Sequence, residues 1–224
     1  MTGLSFWPGC VLAVLGGAGA TPRLGEWIDH LTGAELFEPR PQSRFAMEPE
    51  YAFRQDVVRE AACHVERDHA TDSEQPVAEW LEAASQNDPV VVAEHFERAG
   101  HPDRARGHWV RAAAQALEGQ DLDAARAYAD RAIAAGAEGE LLGRAHLAKA
   151  EAASWQLQYE PALEAARAAM DRLTPGGEAF FEAATTAVAC TAAMGKHDAM
   201  IGFVARMRDA PRERAPGPAA LGLS

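Results

Sequence analysis

Several groups of residues in this 224-residue chain have types that could do chemistry. Gly16-Gly17-Ala18-Gly19 follows an apolar run, as a phosphate-cradling loop would. It lacks G-x-G-x-x-G spacing and a P-loop lysine, and it reads as a plain turn. Gly195-Lys196 resembles the end of a P-loop, but that motif would need glycine at position 190 and a hydroxyl residue at 197, where Cys190 and His197 stand. His95, His101 and His108, and the pair His64 and His69, have no i, i+4 spacing with a converging third ligand, and we expect surface or capping histidines. Glu138, Glu140 and Glu151 could act as an acid/base pair only in a closed cleft, and they read as solvated. Cys10, Cys63 and Cys190 are odd in number and lack C-x-x-C spacing, which suggests neither a disulfide framework nor a zinc site and fits a reducing cytoplasm. No kinase catalytic loop, magnesium-binding triplet or G-x-S-x-G elbow occurs. The expectation is no catalytic residue, no cofactor and no metal.

Charge narrows the partners. Thirty-three acidic against twenty-one basic residues give a formal charge of −12, which opposes nonspecific attraction to nucleic acid or an anionic membrane. The apolar run Gly9 to Leu15 is far shorter than the roughly 20 residues a bilayer requires. Ala18-Gly19-Ala20 imitates a signal-peptidase site, but no Lys or Arg precedes Arg23 to supply a basic leader. A cytoplasmic protein with no membrane segment is the expectation.

The elements that must position any site form a repeat. Gln120-Asp121-Leu122-Asp123-Ala124-Ala125, Gln158-Tyr159-Glu160-Pro161-Ala162 and Gly195-Lys196-His197-Asp198-Ala199-Met200 each restart a helix after a break. Taking Leu122, Tyr159 and His197 as equivalent, the spacings are 37 and 38 residues, the period of a helix-pair repeat. One such pair cannot bury its apolar stripe alone, so neighbours stack and present an elongated surface rather than a catalytic pocket. Expected stripes include Ala105/Trp109/Ala112, Leu122/Ala125/Ala129, Leu141/Ala145/Ala148/Ala152/Trp155, Tyr159/Leu163/Ala166/Met170 and Phe181/Ala184/Val188. Alanine at the crossings permits close helix approach, with Trp109, Trp155 and Tyr159 filling the gaps. The units resemble degenerate tetratricopeptide repeats.

Ahead of the repeats, Phe6 to Leu15 reads as a short helix. Thr21-Pro22 opens a second with Leu24, Trp27, Ile28 and Leu31 on one face, and residues 35–39 and 50–54 read as a β-hairpin. Two helices followed by a hairpin form the back half of a winged helix. The polar run from His64 to Pro76 reads as a linker. The expected domains are a partial winged helix over 1–70, an α-solenoid over 76–209 and a disordered tail over 210–224.

The words Ser43-Arg44-Phe45, Glu50-Tyr51-Ala52-Phe53-Arg54, Val58-Arg59-Glu60-Ala61-Ala62, Glu79-Trp80-Leu81-Glu82-Ala83-Ala84 and Val92-Ala93-Glu94-His95-Phe96-Glu97-Arg98-Ala99-Gly100 make the chain similar to one family. It resembles, from Phe6 to about Met207, the junction of winged helix and repeats in STAND-type AAA ATPases, large bacterial signalling proteins often fused to a serine/threonine kinase or a cyclase. Gln55 stands where that family commonly has His, and Cys63 where it commonly has an aromatic residue. The resemblance implies that kinase and nucleotide-binding modules and the first helix of the winged unit would precede this stretch. It also implies that the winged unit serves internal packing and regulation.

The fold class expected is therefore mainly α, an antiparallel helix-pair solenoid after a small partial winged-helix unit with one β-hairpin. The function expected is a non-catalytic regulatory or protein-binding module of a signalling ATPase or serine/threonine kinase system, with a protein or peptide on the repeat face. Arg111, Arg144 and Glu151, polar residues on helices whose other sides are apolar, are the candidate partner-binding residues. One alternative is a fragment classed as a kinase or ATPase whose catalytic modules lie elsewhere. Another is a winged-helix transcription regulator, against which Glu26 and Asp29 beside Arg23 argue, since a reading helix wants clustered Lys or Arg.

Overall fold

The computed structural model describes residues 5–16, 21–45, 48–65, 70–84 and 88–211. Within them the chain is mainly helical, with eleven helices and one three-stranded antiparallel sheet. The chain divides into two compact units, Met1–Ala105 and Arg106–Ser224. The expected tail beyond Pro211 and the Gly17-Ala18-Gly19 part of the glycine turn lie outside the described residues.

The first unit begins with β1 (Ser5–Phe6), α1 (Pro8–Val14), α2 (Thr21–Gly33), β2 (Phe37–Pro39) and β3 (Tyr51–Phe53). The hairpin forms as expected, with Phe37 opposite Phe53 and Pro39 opposite Tyr51. A third strand was not expected: Phe6 leaves the helix assigned to it and pairs with Tyr51, giving the strand order β1-β3-β2. Pro8 is the cause. Its ring disfavours helical backbone at Trp7, which sits at φ −124°, ψ 135°, while its own fixed φ suits the first turn of α1. The rings of Phe6, Phe37 and Phe53 then meet edge to face, with centroids 4.8 Å apart for Phe6–Phe37 and 5.0 Å for Phe37–Phe53. Trp7 is buried against Phe45 and Trp80, and Leu24 and Ile28 carry the core face of α2. Trp27, expected on that face, is 51 % exposed.

The unit continues with α3 (Asp56–Val65), α4 (Ala70–Ala83) and α5 (Pro89–Arg98). Ala70 to Pro76, read from sequence as linker, is helix, and its Glu74 and Gln75 pair with residues that follow, as do Glu79 and Glu82 further along α4. Glu74 meets His95 and Arg98, Gln75 meets His101, and Glu79 and Glu82 both take Arg104. Asp88 caps α5, its carboxylate accepting from the Val90 and Val91 amides.

The second unit contains three helix pairs. They are α6 (Pro102–Glu118), which begins just before the division, with α7 (Leu122–Ala134); α8 (Gly139–Trp155) with α9 (Tyr159–Met170); and α10 (Glu178–Ala193) with α11 (His197–Asp209). Leu122, Tyr159 and His197, equated from sequence, are the first residues of α7, α9 and α11. The turn before each repeats too. Gln120, Leu157 and Gly195 adopt the left-handed conformation at φ 59°, 59° and 68°. The following amide closes each turn onto a carbonyl five residues back: Asp121 to Ala116, Gln158 to Ala153, Lys196 to Thr191, at 2.8 to 2.9 Å. This is the Schellman ending, and Gly136 supplies it between α7 and α8.

Alanines fill the core as expected: Ala105, Ala112, Ala125, Ala129, Ala145, Ala152, Ala162 and Ala166 are all buried, as is Trp109. Arg131 holds its guanidinium 3.6 Å over the Trp109 ring, and Tyr128 stacks on the same indole. Two expectations need correction. Trp155 fills no gap and is 76 % exposed. On α10 the buried face is Phe180, Ala183, Ala184, Ala187 and Cys190, one residue out of phase with the Phe181/Val188 stripe. An alanine-rich helix packed by α8, α9 and α11 has too little polar surface to set its phase.

Candidate functional site

Three positions along one face of α8 hold the polar and aromatic groups of interest. Arg144, Glu151 and Trp155 are spaced by seven and four residues, which brings them to the same side of a 3.6-residue helix. Ala148 lies between them and is buried, so the backbone is covered while the longer side chains rise around it. Arg144 is exposed and pairs with Glu140 one turn earlier at 3.6 Å. Glu151 is half-buried rather than solvated. Burial raises its carboxyl above the ordinary carboxylate range, and the charge of Glu182 on α10 adds to this. Ser154 lies against the seam with α10, its hydroxyl 3.9 Å from the Cys190 thiol. Burial raises that thiol too, which keeps it protonated and unreactive. Arg111 is exposed on α6. The structure therefore unites two of the three sequence candidates, Arg144 and Glu151, on one helix face.

Trp155 and the corner after it were missed by the sequence reading. Leu157, at the left-handed position, is 69 % exposed. Around it Gln156 donates to Asp123 at 2.8 Å, and Arg126 donates to Gln156 and Gln158 at 3.0 and 3.2 Å. This network ties the start of α7 to the α8–α9 corner. Gln156 and Gln158, flanking a repeat break, were the available signal.

The histidines also depart from expectation. His95 is 1 % exposed, and His108 is buried as well. The Nδ1 of His95 contacts the Glu74 carboxylate, which can only accept, so His95 donates there. Arg98 reaches the same carboxylate at 3.1 Å. Burial alone would raise Glu74, but the hydrogen bonds and charges of His95 and Arg98 outweigh it and hold the carboxyl below its usual range. His101, half-buried, shares a hydrogen bond with Gln75 at 3.0 Å. The arrangement is a structural clamp between α4 and α5. The side chain of His64, and His69, lie outside the described residues.

The first unit holds a half-open apolar pocket of about 370 Å³, walled by Phe6, Val11, Leu24, Trp27, Ile28 and Phe53. Its polar lining is Ser5, Cys10 and Ser73. Burial drives the Cys10 thiol up to about 11, the wrong direction for a nucleophile. Among the described residues no group of three His, Cys, Asp or Glu is placed to hold a metal ion, and no helix is long and apolar enough to cross a membrane.

Comparison with protein-family models, with curated proteins and with solved structures finds no match to this chain.

Proposed function

We propose that this chain is a non-catalytic interaction module in which the α8 face of the repeat unit receives a protein partner. The observation that carries the reading is Trp155, a large aromatic side chain 76 % exposed on a helix whose buried residues are mostly alanine. Solvent-facing tryptophan contributes nothing to the core and is the residue type most enriched where binding energy concentrates. The chemistry of the rest supports recognition over turnover: both described thiols are pushed toward the protonated form, and the buried His95 is committed to Glu74.

The 37- and 38-residue pairs fit tetratricopeptide-like repeats, and the resemblance of the sequence words to STAND-type ATPases supports a reading of the module as part of a cytoplasmic signalling ATPase or serine/threonine kinase system. On this reading it regulates such a system by binding, not by phosphotransfer, and neither nucleic acid nor membrane is its target. The test is selection of random peptides displayed on phage against the full chain, beside an assay of magnesium-dependent ATP hydrolysis. Enrichment of peptides that bind saturably, with ATP turnover at the buffer rate, supports the module. ATP turnover above that rate, or no enriched peptide, overturns it.

A further inference from the structure

Protein interiors pack closely enough that voids much larger than a water molecule are few. The first unit nevertheless leaves about 370 Å³ among its sheet, α1, α2 and α4. An apolar cavity of about 150 Å³ already admits benzene, and small-molecule sites begin at about 300 Å³. The space is of ligand size.

Its walls are held from behind. Phe6 is fixed by strand pairing with Tyr51, and its ring meets those of Phe37 and Phe53. Trp7, 3 % exposed, is packed against Phe45 and Trp80, and Leu24 and Ile28 are buried on α2. Walls anchored in this way keep the pocket pre-formed. Its mouth is apolar too. Val14, Leu15 and Trp27 all line the pocket and are 38, 50 and 51 % exposed, so three of the unit's exposed large apolar side chains gather at one opening. Arg23 lies 5.3 Å from the centre of the Trp27 ring and steadies that indole from outside the lining.

The lining selects the occupant. It contains no Lys, Arg, His, Asp or Glu. Its thiol, Cys10, is neutral as well, because burial pushes it up to about 11. A charged group entering here would lose its water and meet no counter-charge. An extended peptide would bring backbone N–H and C=O groups that these walls cannot pair. The polar residues of the lining are Ser5, Cys10 and Ser73, and Trp7, also in the wall, has an indole Nε1 without a hydrogen-bond partner among the described residues. That inventory suits one hydroxyl or carbonyl on an otherwise apolar molecule.

We propose that the first unit binds a small neutral hydrophobic molecule, a hydrocarbon chain or ring system carrying a single hydroxyl or carbonyl group, in the pocket among its sheet, α1, α2 and α4. The site shares no residue with the α8 face, so the two readings stand or fall separately.

The test follows the fluorescence of N-phenyl-1-naphthylamine, a neutral apolar dye, titrated into the full chain and then displaced by octan-1-ol or by octanoate at neutral pH. The chain is compared with Val11→Phe, which fills the space, with Val14→Trp at the exposed mouth, and with Trp155→Ala in the other unit. Circular dichroism checks folding; should Val11→Phe unfold the unit, Val14→Trp decides. The dye saturates at one per chain, and both filling variants weaken it about tenfold or more while Trp155→Ala leaves it unchanged. Octan-1-ol displaces it at a concentration about tenfold or more below that of octanoate. Dye fluorescence that never saturates, or binding that survives both filling variants, overturns the proposal. Octanoate as effective as octan-1-ol overturns the neutral class. Self-association abolished by Val14→Trp assigns the pocket to a second copy and overturns it as well.

Discussion

Changing glycine to alanine at two sites in the repeat unit should move stability in opposite directions, because the backbone and not the added methyl decides the sign. Gly136 ends α7 at φ 79°, and an added β-carbon there would meet nothing within 4 Å. Gly107 lies inside α6, also with open space around it. At Gly136 the left-handed conformation costs an L-residue about 1–2 kcal/mol. Alanine's smaller unfolded-state entropy returns about 0.4–1 kcal/mol. Gly136→Ala is therefore expected to destabilise by about 1 kcal/mol. At Gly107 the same methyl removes glycine's helix penalty, and Gly107→Ala should stabilise by about 0.8–1 kcal/mol. Urea denaturation followed by far-ultraviolet circular dichroism reads both as shifts of midpoint at constant slope. Each shift corresponds to roughly 2–4 °C in Tm for a chain of this size. Midpoints that move the same way, or a neutral Gly136→Ala, would refute the assignment of a Schellman corner at that break.

Further expectations follow from the packing. Gly143→Ala in α8 should destabilise despite the helix-propensity gain of about 1 kcal/mol, because its β-carbon would lie 2.8 Å from Leu173 Cγ and 3.1 Å from the Leu173 backbone nitrogen; calorimetry should show a lower Tm. Trp109→Ala should cost about 3–5 kcal/mol, since it empties a fully buried site and strips Arg131 of the ring beneath it; urea titration measures this. Glu74 carries a pH signature. Its folded pKa is lowered, so the stability it supplies is complete above the ordinary carboxylate pKa of about 4.5 and is lost as pH falls through the lower folded value. Glu74→Gln should flatten that part of the acid limb in a pH series of thermal melts, and an unchanged limb would discount the clamp.

Much of this architecture was legible because its punctuation is local. Asp121, Gly136 and Gly195 mark breaks by composition alone, and the period through Leu122, Tyr159 and His197 located three helix starts. What escaped depends on partners distant in sequence. The two-residue strand at Ser5–Phe6 exists because Tyr51 and Ala52 receive it. His95 looked like a surface group because its partner, Glu74, sits 21 residues earlier in a run whose polarity resembles a linker. The polar face of α4 is an ion-pairing face, and periodicity of apolar residues cannot distinguish the two.

The candidate site shows the same division. Arg144 and Glu151 fall on one α8 face by spacing alone, and so they were available from sequence. Trp155 continues that spacing, yet an aromatic residue in an alanine-rich repeat invites assignment to the core. Only the packed helices show that α8 is covered by alanines at Ala145, Ala148 and Ala152 and leaves its last residue outside. Leu157 gave no signal either, since left-handed corners are recognised through glycine or asparagine.

Amide chemical-shift mapping of the full chain, titrated with a display-selected peptide, tests the central claim most directly. The account predicts saturable shifts concentrated around Glu151, Trp155 and Leu157 on α8 and its corner and around Glu182 on α10. Shifts confined to the apolar pocket of the first unit, at Val11, Leu24 and Trp27, would contradict it.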